Sequence, residues 1–244
     1  MPNWVSTIVK IKAENEQIIN DMVKHIINED DELDFNNIIP MPEDLRHTEA
    51  STRQDDYIIV YATDKLQVVA DDQWDEVMKK GRFSTEGRFF DGHLSNIQKT
   101  YTMLMNKEIS DEELDDMYAK GAMYVSNMDK YGCRDWYVWS LNHWGTKWNA
   151  CDSYYDVDGN ELTLYFNTAW SVAEPIIWAL VDQYDIKELE CTYCDEDCYG
   201  GNCGRMGIDE AGDVYDEIPE VESEPWEDIV EFCWGYRPSE EEEW

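Results

Sequence analysis

Residues 148–168 constrain the fold most. Two alternating runs, 148–155 and 161–168, flank Asp158-Gly159. Asp-Gly between such runs signals a tight hairpin, because that turn demands positive φ at both central residues. Leu162, Leu164 and Phe166 share one face of the second run. Upstream, residues 4–12 (WVSTIVKIK) alternate with β-branched side chains and predict a strand. Residues 14–28 place Ile18, Ile19, Met22, Val23, Ile26 and Ile27 along one helical face. Downstream, residues 175–184 predict a second amphipathic helix through Ile176, Ile177, Leu180, Val181 and Tyr184, and 186–193 a final strand. Strand, helix, hairpin, helix, strand is the ferredoxin-like βαββαβ order. It is an α+β fold with both helices on one face of a four-stranded antiparallel sheet.

The remaining segments are placed around that frame. Residues 28–34 form an acidic loop, and 35–42 (FNNIIPMP) read as an extended segment closed by two prolines. The apolar run 57–62 fits strand or helix. From 64 to 130 the pattern is helical, with loops around 81–92. Within it Ser110-Asp111-Glu112-Glu113 matches a capping box, and Leu114, Met117 and Tyr118 follow at helical spacing. The expected organisation is a discontinuous ferredoxin-like domain (1–62 and 135–200), a helical insertion (63–134) and an acidic C-terminal extension (201–244). The extension carries a short helix. Pro225 suits its first position, Glu227 and Asp228 its first turn, and Gly235 its end. Trp226, Ile229, Val230, Cys233 and Trp234 then lie on one stripe. The run 240–243 is expected to be solvated.

Charge narrows the partners. The 244 residues hold 55 acidic and 19 basic side chains, a formal net charge of −36. A disordered acidic chain has few aromatics, whereas this one has 11 Trp, 15 Tyr and 6 Phe, so the acid coats a folded body. For 28.7 kDa the expected folded surface is roughly 11,000 Å², or one net charge per about 300 Å². Duplex DNA carries one per roughly 1.7 Å of axis, about three times that density, so phosphate mimicry requires clustering. Repulsion argues against direct nucleic-acid binding and against anionic membranes. It favours basic proteins, including those that bind nucleic acid. No apolar run is long enough to span a bilayer, and Met1-Pro2-Asn3-Trp4 lacks the features of a secretory leader. A cytoplasmic protein with seven reduced cysteines is expected.

Several segments together carry a resemblance: Met1-Pro2-Asn3-Trp4, FNNIIPMP at 35–42, Asn142-His143-Trp144-Gly145-Thr146-Lys147-Trp148-Asn149, and Phe166-Asn167-Thr168-Ala169-Trp170. Over residues 1–45 and 135–200 the chain resembles the YubB ferredoxin-like family of phage, prophage and plasmid proteins. The resemblance implies the fold without an iron–sulfur cluster and brings no catalytic residues. It also implies a mobile-element setting. The Cys-rich stretch after Tyr193 and the acidic tail depart from the family pattern.

Candidate sites follow from residue type and spacing. Cys191, Cys194, Cys198 and Cys203 form C-x₂-C-x₃-C-x₄-C, four thiols able in principle to hold a tetrahedral zinc. The spacing lacks the long gap between ligand pairs, and the alternative is one or two buried strand cysteines plus loop thiols. No other cofactor is expected. Asp152, Asp156, Asp158, Asn160 and Glu161 recur like calcium-loop acids, but counting back from Gly159 puts Tyr154 at the first ligand position, which favours a hairpin turn. The histidines at 25, 47, 93 and 143 pair with no nucleophile, and no phosphate-binding glycine loop occurs, so no enzyme is expected. Trp144, Lys147 and Trp148 fit either a cation–π contact in a binding hot spot or a packed structural corner.

The expected function is inhibition of a basic, nucleic-acid-binding host protein concerned with defence, with carboxylates taking the places of phosphates. The contacts expected are Asp71, Asp72, Asp111, Glu112, Glu113, Asp115, Asp116, Asp195, Glu196 and Asp197, with Trp226 and Trp234 on the tail helix. The alternative is a scaffold or homodimer joined through that helix, its charge serving solubility.

Overall fold

The computed structural model describes residues 3–83 and 90–240, without the side chains at 90–93 and 240. Part of the loop region expected at 81–92 and most of the run 240–243 lie outside the described residues. The chain divides into two compact units, 1–41 with 140–244, and 42–139. The first opens with β1 (Trp4–Ala13), α1 (Glu16–Ile26) and the single turn α2 (Phe35–Ile38). The second holds α3 (Glu43–Arg46), α4 (Gln54–Ala62), α5 (Trp74–Lys80), α6 (Phe90–Met105) and α7 (Asp111–Tyr131). The boundary falls within α8 (Trp136–His143). The first unit resumes with β2 (Cys151–Asp158), β3 (Glu161–Ala169), α9 (Glu174–Gln183), β4 (Ile186–Asp195), β5 (Cys203–Ile208), β6 (Val214–Glu217) and α10 (Glu224–Trp234).

The strand order is β2-β3-β1-β4-β5-β6, antiparallel throughout. Its first four strands give the ferredoxin-like arrangement. Val9 stands opposite Leu164 on one side and Cys191 on the other. Opposed residues point to the same face, so Val5, Val9, Ile11, Leu162, Leu164, Phe166, Leu189 and Cys191 share one buried face. Ile19, Met22 and Ile26 from α1, and Ile176, Ile177 and Leu180 from α9, are buried with them. Asn15 caps α1, its side chain accepting from Ile18 N at 3.2 Å.

Three local differences from the sequence reading stand out, and one open reading is decided. The sheet has six strands because β5 (CGRMGI) hides its strand signal behind two glycines. A Cβ at Gly204 would sit 2.7 Å from Glu217 O and 2.9 Å from Tyr193 Oη, and one at Gly207 1.8 Å from Leu189 O and 3.0 Å from Tyr215 Oη. The neighbouring tyrosines lie across the bare backbone. Residues 35–38 form a helical turn rather than extended chain, because the Asp34 carboxylate accepts from Asn36 N at 2.9 Å. The hairpin turn is Gly159-Asn160, one residue later than expected, and of that pair only Gly159 takes positive φ, +59°. The ambiguous run 57–62 belongs to α4.

In the second unit α4 and α7 approach very closely. A Cβ at Gly121 would lie 2.1 Å from Tyr57 O, and the rings of Tyr57 and Tyr124 stack with centroids 6.3 Å apart. Ser110 caps α7, accepting from Glu113 N at 3.2 Å.

The exposed surface is 14,034 Å², more than the expected value, so the average charge is more dilute than the sequence suggests. Its distribution is uneven. The second unit has 20 acidic and 12 basic residues, a net of −8, which leaves −28 on the ferredoxin-like unit with only seven basic residues.

Candidate interaction surface

The second face of the sheet carries Trp4, Ser6, Ile8, Lys10 and Lys12 from β1 and is divided between a covered and an open half. α10 covers the half formed by β4, β5 and part of β1. Ser223 caps it, accepting from Trp226 N at 3.4 Å, and Gly235 closes it in the left-handed region at φ +76°. Trp226 is 1% exposed and donates from Nε1 to Cys198 O at 3.0 Å. Trp234 Nε1 donates to Cys194 O at 3.1 Å. Ser6 Oγ donates to Cys233 O at 3.2 Å, and Lys10 Nζ lies 5.0 Å above the Phe232 ring. Arg237 ties down the end through Glu227, Asp228 and Glu231, at 3.0, 2.9 and 2.8 Å. Those carboxylates hold its guanidinium pKa above the usual value.

This docking corrects part of the expected contact set. Trp226 is buried in its own chain and is not offered to a partner, whereas Trp234 is half-buried with its indole N–H committed to β4. A dimer joined through the apolar stripe of Trp226, Ile229 and Val230 would have to undock the helix first. Asp195 is 6% exposed and accepts from Asn3 Nδ2, Asn202 Nδ2 and Asp197 N at 3.3, 3.3 and 2.8 Å. It is an internal brace rather than a contact. Glu196 and Asp197 remain exposed.

The zinc set is also separated. Cys191 opposes Val9 on the α1–α9 side of the sheet, whereas Cys194 and Cys203 oppose each other under α10. Cys198 Sγ faces Tyr236 Oη at 3.6 Å. No group of three or more His, Cys, Asp or Glu is placed to hold a metal ion among the described residues. Cys233, absent from the expected set, packs against the other three instead of Cys191.

The open half is built by β2 and β3. Tyr154, 59% exposed, stacks face to face on Tyr165 with centroids 4.3 Å apart and planes 8° from parallel. Asp156 opposes Thr163, and Asp158 opposes Glu161, on the same face. Asp152 sits at the bulge that shifts the β2 register, in the left-handed region at φ +51°, and accepts from Asn167 Nδ2 at 3.3 Å. The bulge brings its carboxylate to this face too. Burial, then the neighbouring Tyr154 and Asp156, push the Tyr165 phenol above its usual pKa. Beside it a groove of about 320 Å³ runs over the backbone between Lys10, Lys12, Glu161, Thr163, Glu188 and Glu190. Lys12 reaches Glu161 and Glu210 at 3.9 and 3.6 Å. An exposed aromatic pair flanked by carboxylates can receive a guanidinium or ammonium group, by cation–π contact on the ring and charge-assisted hydrogen bonds at the edge.

A second aromatic group lies near the start of β1. Lys147 Nζ is sandwiched 4.5 Å from Trp148 and 4.7 Å from Trp170, and Trp148 leans on Trp4 at 6.0 Å. Trp170 is 43% exposed and held at φ +73° by bonds from its N to Asn3 O and from Asn202 Nδ2 to its O. Trp144 is a core residue, donating from Nε1 to Ile39 O at 2.9 Å. Of the expected acidic contacts, Asp71 and Asp72 are exposed ahead of α5, and Asp111, Glu112, Glu113, Asp115 and Asp116 are exposed on the first turns of α7. All seven belong to the weakly charged second unit, where Lys65 pairs with Asp115 and Lys120 with Asp116. His25 is exposed, its Nδ1 2.5 Å from Tyr184 Oη. No helix among the described residues is long and apolar enough to cross a membrane.

Residues 143–233 match the family model described as the ferredoxin-like domain in Api92-like protein. The matching family is therefore ferredoxin-like, as expected, but is not the YubB family. The matched stretch ends at Cys233, so β5, β6 and most of α10 lie inside the matched domain rather than in an extension peculiar to this chain. Among solved structures, the chain is similar to a protein api92 from Yersinia pseudotuberculosis, at 12% identity and a TM-score of 0.43, covering 91% of this chain and 100% of that one. No curated protein matches the chain.

Proposed function

We propose that this is a non-enzymatic binding protein that takes a basic, nucleic-acid-binding protein on the open half of its sheet and thereby blocks it. The observation that carries the proposal is the concentration of net charge, −28 of −36, on the unit whose uncovered sheet face presents Tyr154, Tyr165, Asp152, Asp156, Asp158 and Glu161. Carboxylates there stand in for phosphates toward Arg and Lys, and stacked tyrosines add the flat surface on which a guanidinium rests. The narrower form of this reading is a mobile-element protein that counters host defence in the cytoplasm.

The test is affinity capture from lysate on the immobilised protein at low and high salt, followed by challenge of the bound proteins with duplex DNA and RNA. The proposal expects basic proteins that elute with salt and with nucleic acid. Capture of acidic or neutral proteins insensitive to both would refute it. A scaffold joined through the tail helix is disfavoured by the docking of α10 on its own sheet. Pairing at the β6 edge is opposed by the like charges of Asp213, Asp216 and Glu217.

A further inference from the structure

The covered half of the same sheet face holds a chemistry that the binding reading does not use. Cys194, Cys198 and Cys203 are buried beneath α10 as free thiols, with Cys233 packed against them. Cys194 and Cys203 face each other directly across β4 and β5. The next pair, Asp195 and Asn202, is the hydrogen-bonded kind, with Asp195 N donating to Asn202 O at 2.9 Å. Bonded and non-bonded pairs alternate along an antiparallel ladder, so Cys194 and Cys203 form a non-hydrogen-bonded pair. In such pairs the Cα atoms lie about 4.5 Å apart and the side chains are closest. That separation falls within the span a disulfide bridges without backbone movement.

We propose that Cys194 and Cys203 are a redox-modification site, closing to a cross-strand disulfide by exchange with a small-molecule disulfide. The Cys203 thiolate attacks one sulfur of the oxidant, forming a mixed disulfide and expelling one thiolate. Cys194, deprotonated, then attacks the Cys203 sulfur, forming the protein disulfide and expelling the second. Protein dithiol plus RSSR gives protein disulfide plus two RSH, and the two electrons end on the small thiols.

The surroundings fit Cys203 as the first nucleophile. The neighbouring Cys194 thiol and then the nearby Arg205 guanidinium lower the Cys203 pKa, while Cys203 and burial raise Cys194, whose Sγ donates to Asp195 O at 3.5 Å. Arg205 Nε is buried without a hydrogen-bond partner, so this guanidinium beside the sulfurs keeps a donor uncommitted. Cys198 is turned toward Tyr236 and Cys233 lies on α10, which leaves Cys194 as the resolving thiol. Both sulfurs are covered by α10, so exchange proceeds through its transient lifting.

The experiment incubates the full-length protein with oxidised glutathione, traps remaining thiols by alkylation and maps the peptides by mass spectrometry. The expected product is a Cys194–Cys203 cross-link that spares Cys198 and Cys233, reverses with dithiothreitol, and raises the melting temperature by several degrees. Trp226→Ala should speed its formation by at least about tenfold by loosening α10, and Cys198→Ser should leave it unchanged. A different pairing would overturn the proposal. So would thiols that stay reduced both in Trp226→Ala and in wild-type protein refolded in the same redox buffer.

Discussion

Truncating Trp226 to Ala tests whether α10 is an integral layer of the ferredoxin-like unit. The indole is 1% exposed in a cluster with Cys194, Cys198, Cys203, Ile229 and Val230, and it satisfies Cys198 O. A Trp side chain buries about 150–250 Å², worth roughly 4–6 kcal/mol as an upper bound at about 25 cal/mol/Å². Large-to-small truncations of this kind cost about 3–5 kcal/mol. About 4 kcal/mol is therefore expected. The unit has about 146 residues, which at roughly 2.1 cal/mol/K per residue corresponds to a fall in melting temperature of about 13 °C. Urea denaturation followed by fluorescence and calorimetry would measure it, with hydrogen exchange reporting loss of protection across Glu224–Trp234. A loss below about 1 kcal/mol with unchanged protection would refute the view that α10 is docked.

Two further outcomes follow from packing and titration. Gly121→Ala should destabilise the second unit by about 1–3 kcal/mol or more, seen as a lower urea midpoint, because its Cβ would collide with Tyr57 O. Burial raises the phenols of Tyr124, Tyr193 and Tyr215 to about 12 from 10.0. Their folded pKa lies above the unfolded one, so the stability they contribute is intact below pH 10 and is lost between 10 and 12. Phenolate absorbance should show this as a cooperative alkaline transition, and smooth independent titration near 10 would contradict it.

The fold was legible wherever hydrophobic period alone decides. Residues 4–12, 161–168 and 175–184 show clean alternation or helical spacing, and β1, β3 and α9 lie there. β5 was illegible because Gly204 and Gly207 make room for backbone carbonyls and tyrosines of adjacent strands, information that no local window contains. α2 was missed because its cap, Asp34, reads as loop acid unless one knows that it also holds Asn149, whose Nδ2 donates to it at 2.7 Å. The candidate surface was half visible. Asp152, Asp156, Asp158 and Glu161 drew notice as calcium-loop acids, yet Tyr154, Asp156 and Asp158 alternate with Tyr155 and Val157. That period of two marks them as the outer face of a strand. The four-cysteine spacing misled because Cys191 and Cys194, three apart on one strand, must point to opposite faces.

The most direct measurement compares the affinity of the captured basic partner for wild-type protein and for the combined variant Asp152→Asn, Asp156→Asn, Asp158→Asn, Glu161→Gln, across a salt series. A matched neutralisation of Asp71, Asp72, Asp111 and Glu112 in the second unit serves as control. The account predicts at least about a tenfold weakening and a shallower salt dependence for the sheet-face variant alone. Equal affinity of that variant and wild type, or a larger loss in the control, would contradict it.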